Sequence, residues 1–137
     1  MILAHHQALS ATPALYPFWR SDIESFTIPN DDHTFMIDSI YHGNVPSKII
    51  LGMVANEAYS GIYKTNSFDC LHKNVNYLEI TVDGTSVPQQ PFKPNFIKND
   101  YLPSYLSLMD SHFNSKNRID ISSSDYPGGY SLFLFDL

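Results

Sequence analysis

The residues best equipped for chemistry in this chain are six histidines, one cysteine and eleven aspartates, and their spacing decides what they can do. His5 and His6 are adjacent, so on an extended chain their side chains diverge. His33 follows Asp31-Asp32, while His42, His72 and His112 stand alone. None of these forms the i, i+4 helical pair with a third ligand that a catalytic zinc site uses. Cys70 and His72 are two apart and would share a face of a strand, yet no orienting acid or oxyanion donor accompanies them. A Gly-x-Ser-x-Gly nucleophile elbow is absent from the sequence. Gly128-Gly129 precedes a strand-like run instead of a helix, so it is no phosphate cradle. The expectation is a protein without catalytic residues, metal or cofactor.

Tyrosine remains as the side chain for recognition. Tyr59, Tyr63, Tyr101, Tyr105, Tyr126 and Tyr130 fall in or beside loop-like stretches. They could stack on sugars or bases, but Tyr equally serves protein contact, because it joins apolar area to a hydroxyl. Eight Lys and Arg against fourteen Asp and Glu leave a net charge of −6. The cations are scattered from Arg20 to Arg118, with none of the clustering that displaces counterions from nucleic acid. Protein contact is therefore favoured, with no direct nucleic-acid binding. No apolar run approaches the ~18 residues of a membrane span, and no secretory leader is legible at Met1–Ala4.

The elements that must position these residues are mostly strands. Asp and Asn are abundant, with eleven and ten copies, and Ala, Glu, Gln and Arg are sparse. Such a composition favours turns and pleated segments over helices. Its 137 residues amount to one domain's worth of chain. Ser21–Ile28 alternates imperfectly, with Ile23, Ser25 and Thr27 on one side and Asp22, Glu24, Phe26 and Ile28 on the other, and ends at the turn cluster Pro29-Asn30-Asp31-Asp32. Thr34–Tyr41 is a second strand candidate. Lys48–Val54 is apolar on both sides and reads as a strand covered on both faces, with Gly52 marking a bulge or a close backbone approach. Residues 56–70 read as a long loop. Leu78, Ile80 and Val82 form the inward face of the clearest strand, and Asp83-Gly84 supplies a tight hairpin turn. Its return strand, Thr85–Val87, should stop near Pro88. Residues 100–113 predict the single helix, with Asp100 as its cap and Tyr101, Tyr105 and Leu108 on one face. Leu132-Phe133-Leu134-Phe135 must be paired and covered, since such a run is an aggregation hazard at an open edge.

Five segments occur in a telling order: KIILGMVANEAYSG (48–61), KTNSF (64–68), LEITVDGTSVP (78–88), YLPSYLSL (101–108) and DYPGGYSLFLFDL (125–137). Together they make residues 15–137 resemble the hexon-like major capsid protein of Polinton (Maverick) elements and adintoviruses. The resemblance implies a vertical double jelly roll, in which two eight-stranded sandwiches stand side by side and three subunits build a pseudo-hexagonal capsomer.

On that basis the fold class expected is all-β: an antiparallel β-sandwich of jelly-roll type, incomplete, with one short helix and long loops. Residues 1–20 would be a linker or upstream tail, and residues 21–137 a partial, C-terminal jelly roll, truncated and lacking the first. The implied partners are further copies of the chain, as a homotrimer, and other capsid proteins. The implied location is the virion, assembled inside the host cell. Tyr59, Tyr63, Tyr101, Tyr105, Leu132, Phe133, Leu134 and Phe135 are the candidate interface residues. Two rival readings are a lectin- or receptor-like β-sandwich that binds through loop tyrosines around an apolar pocket, and a hydrolase or isomerase on a double-stranded β-helix with converging histidines.

Overall fold

A computed structural model describes residues 7, 9–41, 43–110 and 120–137. Two compact units emerge, Met1–His42 and Gly43–Leu137. His5, His6, His42 and His112 lie outside the described residues, as do Met1–Ala4 and residues 111–113 of the expected helix.

In the first unit, residues 13–29 carry neither helix nor strand. The strands expected at Ser21–Ile28 and Thr34–Tyr41 are not formed. A strand persists only where a neighbour takes up its backbone groups, and this unit supplies no ladder among its described residues. The expected turn is present: Asp31 adopts φ 69° and the Asp32 N–H donates to Pro29 O at 3.4 Å.

The second unit contains β1 (Lys48–Gly52), α1 (Asn56–Tyr59), β2 (Leu78–Val82), β3 (Thr85–Phe92), α2 (Leu102–Asp110) and β4 (Leu132–Asp136). Short 3-10 turns lie at Phe96–Lys98 and Tyr126–Gly128. The strands form two antiparallel pairs, β1 with β4 and β2 with β3. The unit is thus β-rich, with two small sheets and more helix than expected. The extra helix α1 lies within the expected loop and buries Ala58.

β2 and β3 join through Asp83-Gly84, whose φ values of 49° and 80° are the two positive angles of a type I′ turn. Leu78 and Val82 are half-buried and Ile80 is buried, while Glu79 and Thr81 face out, as the alternation predicts. β3 runs past Pro88 to Phe92. The ladder tolerates the proline because the register breaks there: Ile80 pairs with Val87, and Leu78 next pairs with Phe92. Pro88 therefore falls in the irregular stretch, where its missing N–H breaks no rung.

β1 and β4 pair in strict register from Lys48↔Asp136 to Gly52↔Leu132. β4 is covered on both faces, with Phe133 0%, Leu134 4% and Phe135 1% exposed. β1 is not: Ile49 is buried and Leu51 half-buried, but Ile50 remains 48% exposed. The two-sided cover read into Lys48–Val54 belongs to β4 alone. Gly52 marks a close approach: a Cβ there would meet Leu132 Cδ2 at 2.9 Å and Cys70 Sγ at 3.2 Å.

α2 packs on β4 and buries Ser104 and Leu108, one turn apart. Asp100 does not cap it. Asp100 instead exchanges backbone hydrogen bonds with Asn95, at 2.7 and 2.9 Å, across a left-handed Asn99. The two sheets meet where Phe92 packs edge-on against Phe135, with ring centroids 5.2 Å apart.

Phe133→Ala should therefore remove about 3–5 kcal/mol of unfolding free energy, through lost burial plus a cavity at the centre of the unit. Ile50→Ser, on the open face of β1, should change it by less than ~0.5 kcal/mol. Urea titration followed by circular dichroism measures both; equal costs would contradict the one-sided cover of β1.

Candidate interface residues

The expected interface residues separate into three environments. Tyr101, just before α2, and Tyr105, on it, are half-buried and belong to a column of rings. His72 stacks on Phe96 at 4.2 Å and Phe96 on Tyr101 at 5.4 Å, and Tyr101 stacks on Tyr126 at 5.7 Å. Tyr105 meets Tyr126 edge-on at 5.6 Å. The hydroxyls work within the chain: Tyr101 donates to Ser123 O at 3.0 Å and Tyr105 to Ile121 O at 2.9 Å. Both tie the segment before the Tyr126 turn to α2. Tyr126 is fully buried, donates to Leu132 O at 2.8 Å, and accepts at its own carbonyl from Ser131 Oγ at 3.0 Å. Burial pushes the Tyr126 hydroxyl well above its ordinary range, so it stays a donor.

Phe133, Leu134 and Phe135 are interior, and Leu132 is half-buried. Phe133, Leu134 and Phe135 form the core on which the rest of the unit packs.

Tyr59 and Tyr63 occupy the third environment. α1 and the residues after it form a loop closed on itself by hydrogen bonds. Ile62 N–H donates to Glu57 O at 3.3 Å, Thr65 Oγ1 to Ile62 O at 2.8 Å, and Ser67 Oγ to Ala58 O at 2.9 Å. Phe68 N–H donates to Asn66 Oδ1 at 3.0 Å. With its polar groups turned inward, the loop displays its large side chains: Tyr59 is 66% exposed, Phe68 86%, and Tyr63 entirely so. Ile62 adds to the patch. Between Tyr59 and Phe68 the only charge is Lys64. Ile62 and Phe68 escaped the sequence reading because they follow no period; the excess of Asn, Ser, Thr and Gly around them was the available signal. Leu102 and Leu106 on α2 are also exposed.

Neither member of the Cys70–His72 pair is set up as a nucleophile or base. Burial, reinforced by the Asp69 carboxylate, pushes the Cys70 thiol up, away from the reactive thiolate. The His72 ring lies on Phe96 and its Nδ1 accepts from Asn74 N–H at 3.0 Å. Among the described residues, no three His, Cys, Asp or Glu side chains converge on a metal position. Among them too, no helix is long and apolar enough to cross a membrane.

No family model matches this chain, and no solved structure matches it. A Caenorhabditis elegans protein carrying the name Uncharacterized protein F54H12.2 is 26% identical over 126 residues, which cover 89% of this chain and 30% of that protein. The chain therefore spans less than a third of the length of this relative.

The buried Tyr126 hydroxyl makes stability depend on alkaline pH. Its folded pKa lies above the unfolded value of about 10, so its contribution is complete below that pH and is lost as pH rises beyond it. The urea midpoint should fall between pH 8 and pH 10.5, and fall less in Tyr126→Phe. At pH 7 that variant should be less stable by ~0.5–1.5 kcal/mol, for the hydrogen bond to Leu132 O. An equal alkaline fall in both proteins would assign the effect to other groups.

Proposed function

We propose that this chain is part of a structural capsid subunit, the C-terminal jelly roll of a hexon-type major capsid protein of the Polinton and adintovirus kind. In this reading its two antiparallel pairs are portions of one sandwich, and copies of the subunit associate as trimeric, pseudo-hexagonal capsomers within a virion. The motif order from 48 to 137 supports it, as does the β-rich unit with its paired, fully covered β4.

The observation that carries the proposal is the loop at 59–68. Its hydrogen bonds fix the backbone, so the exposed Tyr63 and Phe68 lose little further entropy on binding. Pre-ordered aromatic side chains with few neighbouring charges are the anchors that protein interfaces use. The function is mechanical: shape and apolar contact hold neighbours together, without a reaction, a cofactor or direct contact with nucleic acid.

Native mass spectrometry of the full-length gene product should give trimers. Tyr63→Ser combined with Phe68→Ser should shift it to monomers, with an unchanged thermal melt because neither side chain is in the core. A wild-type product that stays monomeric at high concentration overturns the proposal.

A further inference from the structure

α2 is turned the opposite way from an ordinary surface helix. Its small polar residues face the protein: Ser104 is buried, and the half-buried Ser107 donates from Oγ to Ser104 O at 2.8 Å. Its large apolar residues face water. Leu102 and Leu106 lie one turn apart on the side away from Ser104 and Leu108, and are 55% and 51% exposed. Pro103 is exposed as well, and Ile97, on the turn before the helix, is 85% exposed. No charge interrupts residues 102–109. A helix that is apolar on both faces is one whose two faces are both covered.

The charges at the ends of α2 indicate what covers the outer face. Asp110, exposed, is the last residue of the helix, and the last turn holds no basic side chain. An acid there opposes the helix dipole, whose negative end is the C-terminus. Lys98, also exposed, lies four residues before the first residue of the helix, near the positive end. Among the described residues neither takes part in an ion pair. The surface thus carries an apolar stripe with a cation at one end and an anion at the other. Such a stripe is complementary to itself when a second copy is laid on it in the reverse direction.

We infer that the outer face of α2 is a two-fold contact, in which the α2 helices of two copies of this chain pack antiparallel. With the axis level with residue 104, Leu102 of each copy opposes Leu106 of the other. Asp110 of each then reaches the N-terminal end of its partner's helix, where the dipole is favourable and Lys98 supplies the opposite charge. The helix is only about 14 Å long, so the pair buries less than the ~1,200 Å² of a stable complex and exchanges readily. The contact is separate from the loop at 59–68 and does not rest on the capsid reading.

Sedimentation equilibrium up to hundreds of micromolar tests this, with Tyr63→Ser and Phe68→Ser present throughout so that the loop cannot contribute. This chain should show a monomer–dimer equilibrium. Leu102→Gln combined with Leu106→Gln should weaken it at least tenfold while the thermal melt is retained. Asp110→Lys and Lys98→Asp, made separately, should each weaken it at least tenfold, since each sets like charges together at both ends of the pair. Their net charges change in opposite directions, so a common weakening cannot come from net charge. An equimolar mixture of the two should associate again, because every end then joins a lysine to an aspartate. A chain that stays monomeric, association that ignores the leucines, or a mixture no tighter than its parents overturns the inference. So does a monomer whose melt falls in the glutamine variant, which would place the cover within the chain itself. Loss of association only when Tyr63 and Phe68 are replaced would overturn the α2 contact and leave the loop proposal standing.

Discussion

Everything in the second unit depends on burying β4 on both faces. A five-residue strand with Phe133, Leu134 and Phe135 at or near zero exposure needs a partner for its backbone and cover for both sides. β1 supplies the backbone rungs, α2 packs against the strand, and Phe92 brings the second sheet to Phe135. The neighbouring sequence bends to these demands. Gly52 lacks a side chain because Leu132 and Cys70 occupy the space one would need. Gly129 adopts φ 121° where a Cβ would collide with the Asp69 carboxylate, which lets the chain turn directly into β4.

The tyrosines follow from the same constraint. The turn before β4 must be held against α2, and Tyr126 does this from inside, with its ring among aromatic neighbours and its hydroxyl on Leu132 O. Tyr101 and Tyr105 extend the hold to Ser123 and Ile121. A buried ring with a satisfied hydroxyl can join an apolar core to a polar loop, which Phe cannot do. Three of the chain's tyrosines are thereby committed to the fold. The loop at 59–68, by contrast, presents its aromatic groups outward.

How much of this could be read from residue types varies with how local the determinant is. The hairpin at Asp83-Gly84 was legible because two residues specify its geometry, and the alternation of Leu78, Ile80 and Val82 because one face is buried. The need to cover Leu132–Phe135 was legible from hydrophobicity alone. Which faces of Lys48–Val54 are covered was not, because that depends on what packs there. The same limit produced strands at Ser21–Ile28 and Thr34–Tyr41: the pattern suits a sheet, but pairing is a property of two segments. The residue types mark Tyr101 and Tyr105 as recognition groups but do not show their hydrogen bonds to Ser123 O and Ile121 O. Composition shows a tyrosine in a loop, whereas only the fold shows a carbonyl waiting for its hydroxyl.

The exposed surface itself has two characters, and the difference is chemical. The outer side of β2–β3 is adapted to water. Tyr77 donates to Glu79 Oε2 at 2.6 Å, which with a second hydrogen bond from Ser86 keeps the Glu79 carboxyl below its usual range, and Lys93 lies 5.8 Å from the Tyr77 ring. There an aromatic group is exposed together with charges of both signs. The loop at 59–68 presents two tyrosines, Ile62 and Phe68 around a lone Lys64, and residues 14–19 hold Leu15, Tyr16, Phe18 and Trp19 with no charge at all. Water tolerates scattered apolar side chains, whereas large contiguous apolar patches are uncommon on protein exteriors. A chain with 16% charged residues has few to spend on its exterior, and these two stretches are where it leaves them out. Around Tyr77 charges of both signs are interleaved with the ring, whereas the loop at 59–68 holds the single Lys64 and residues 14–19 hold no charge.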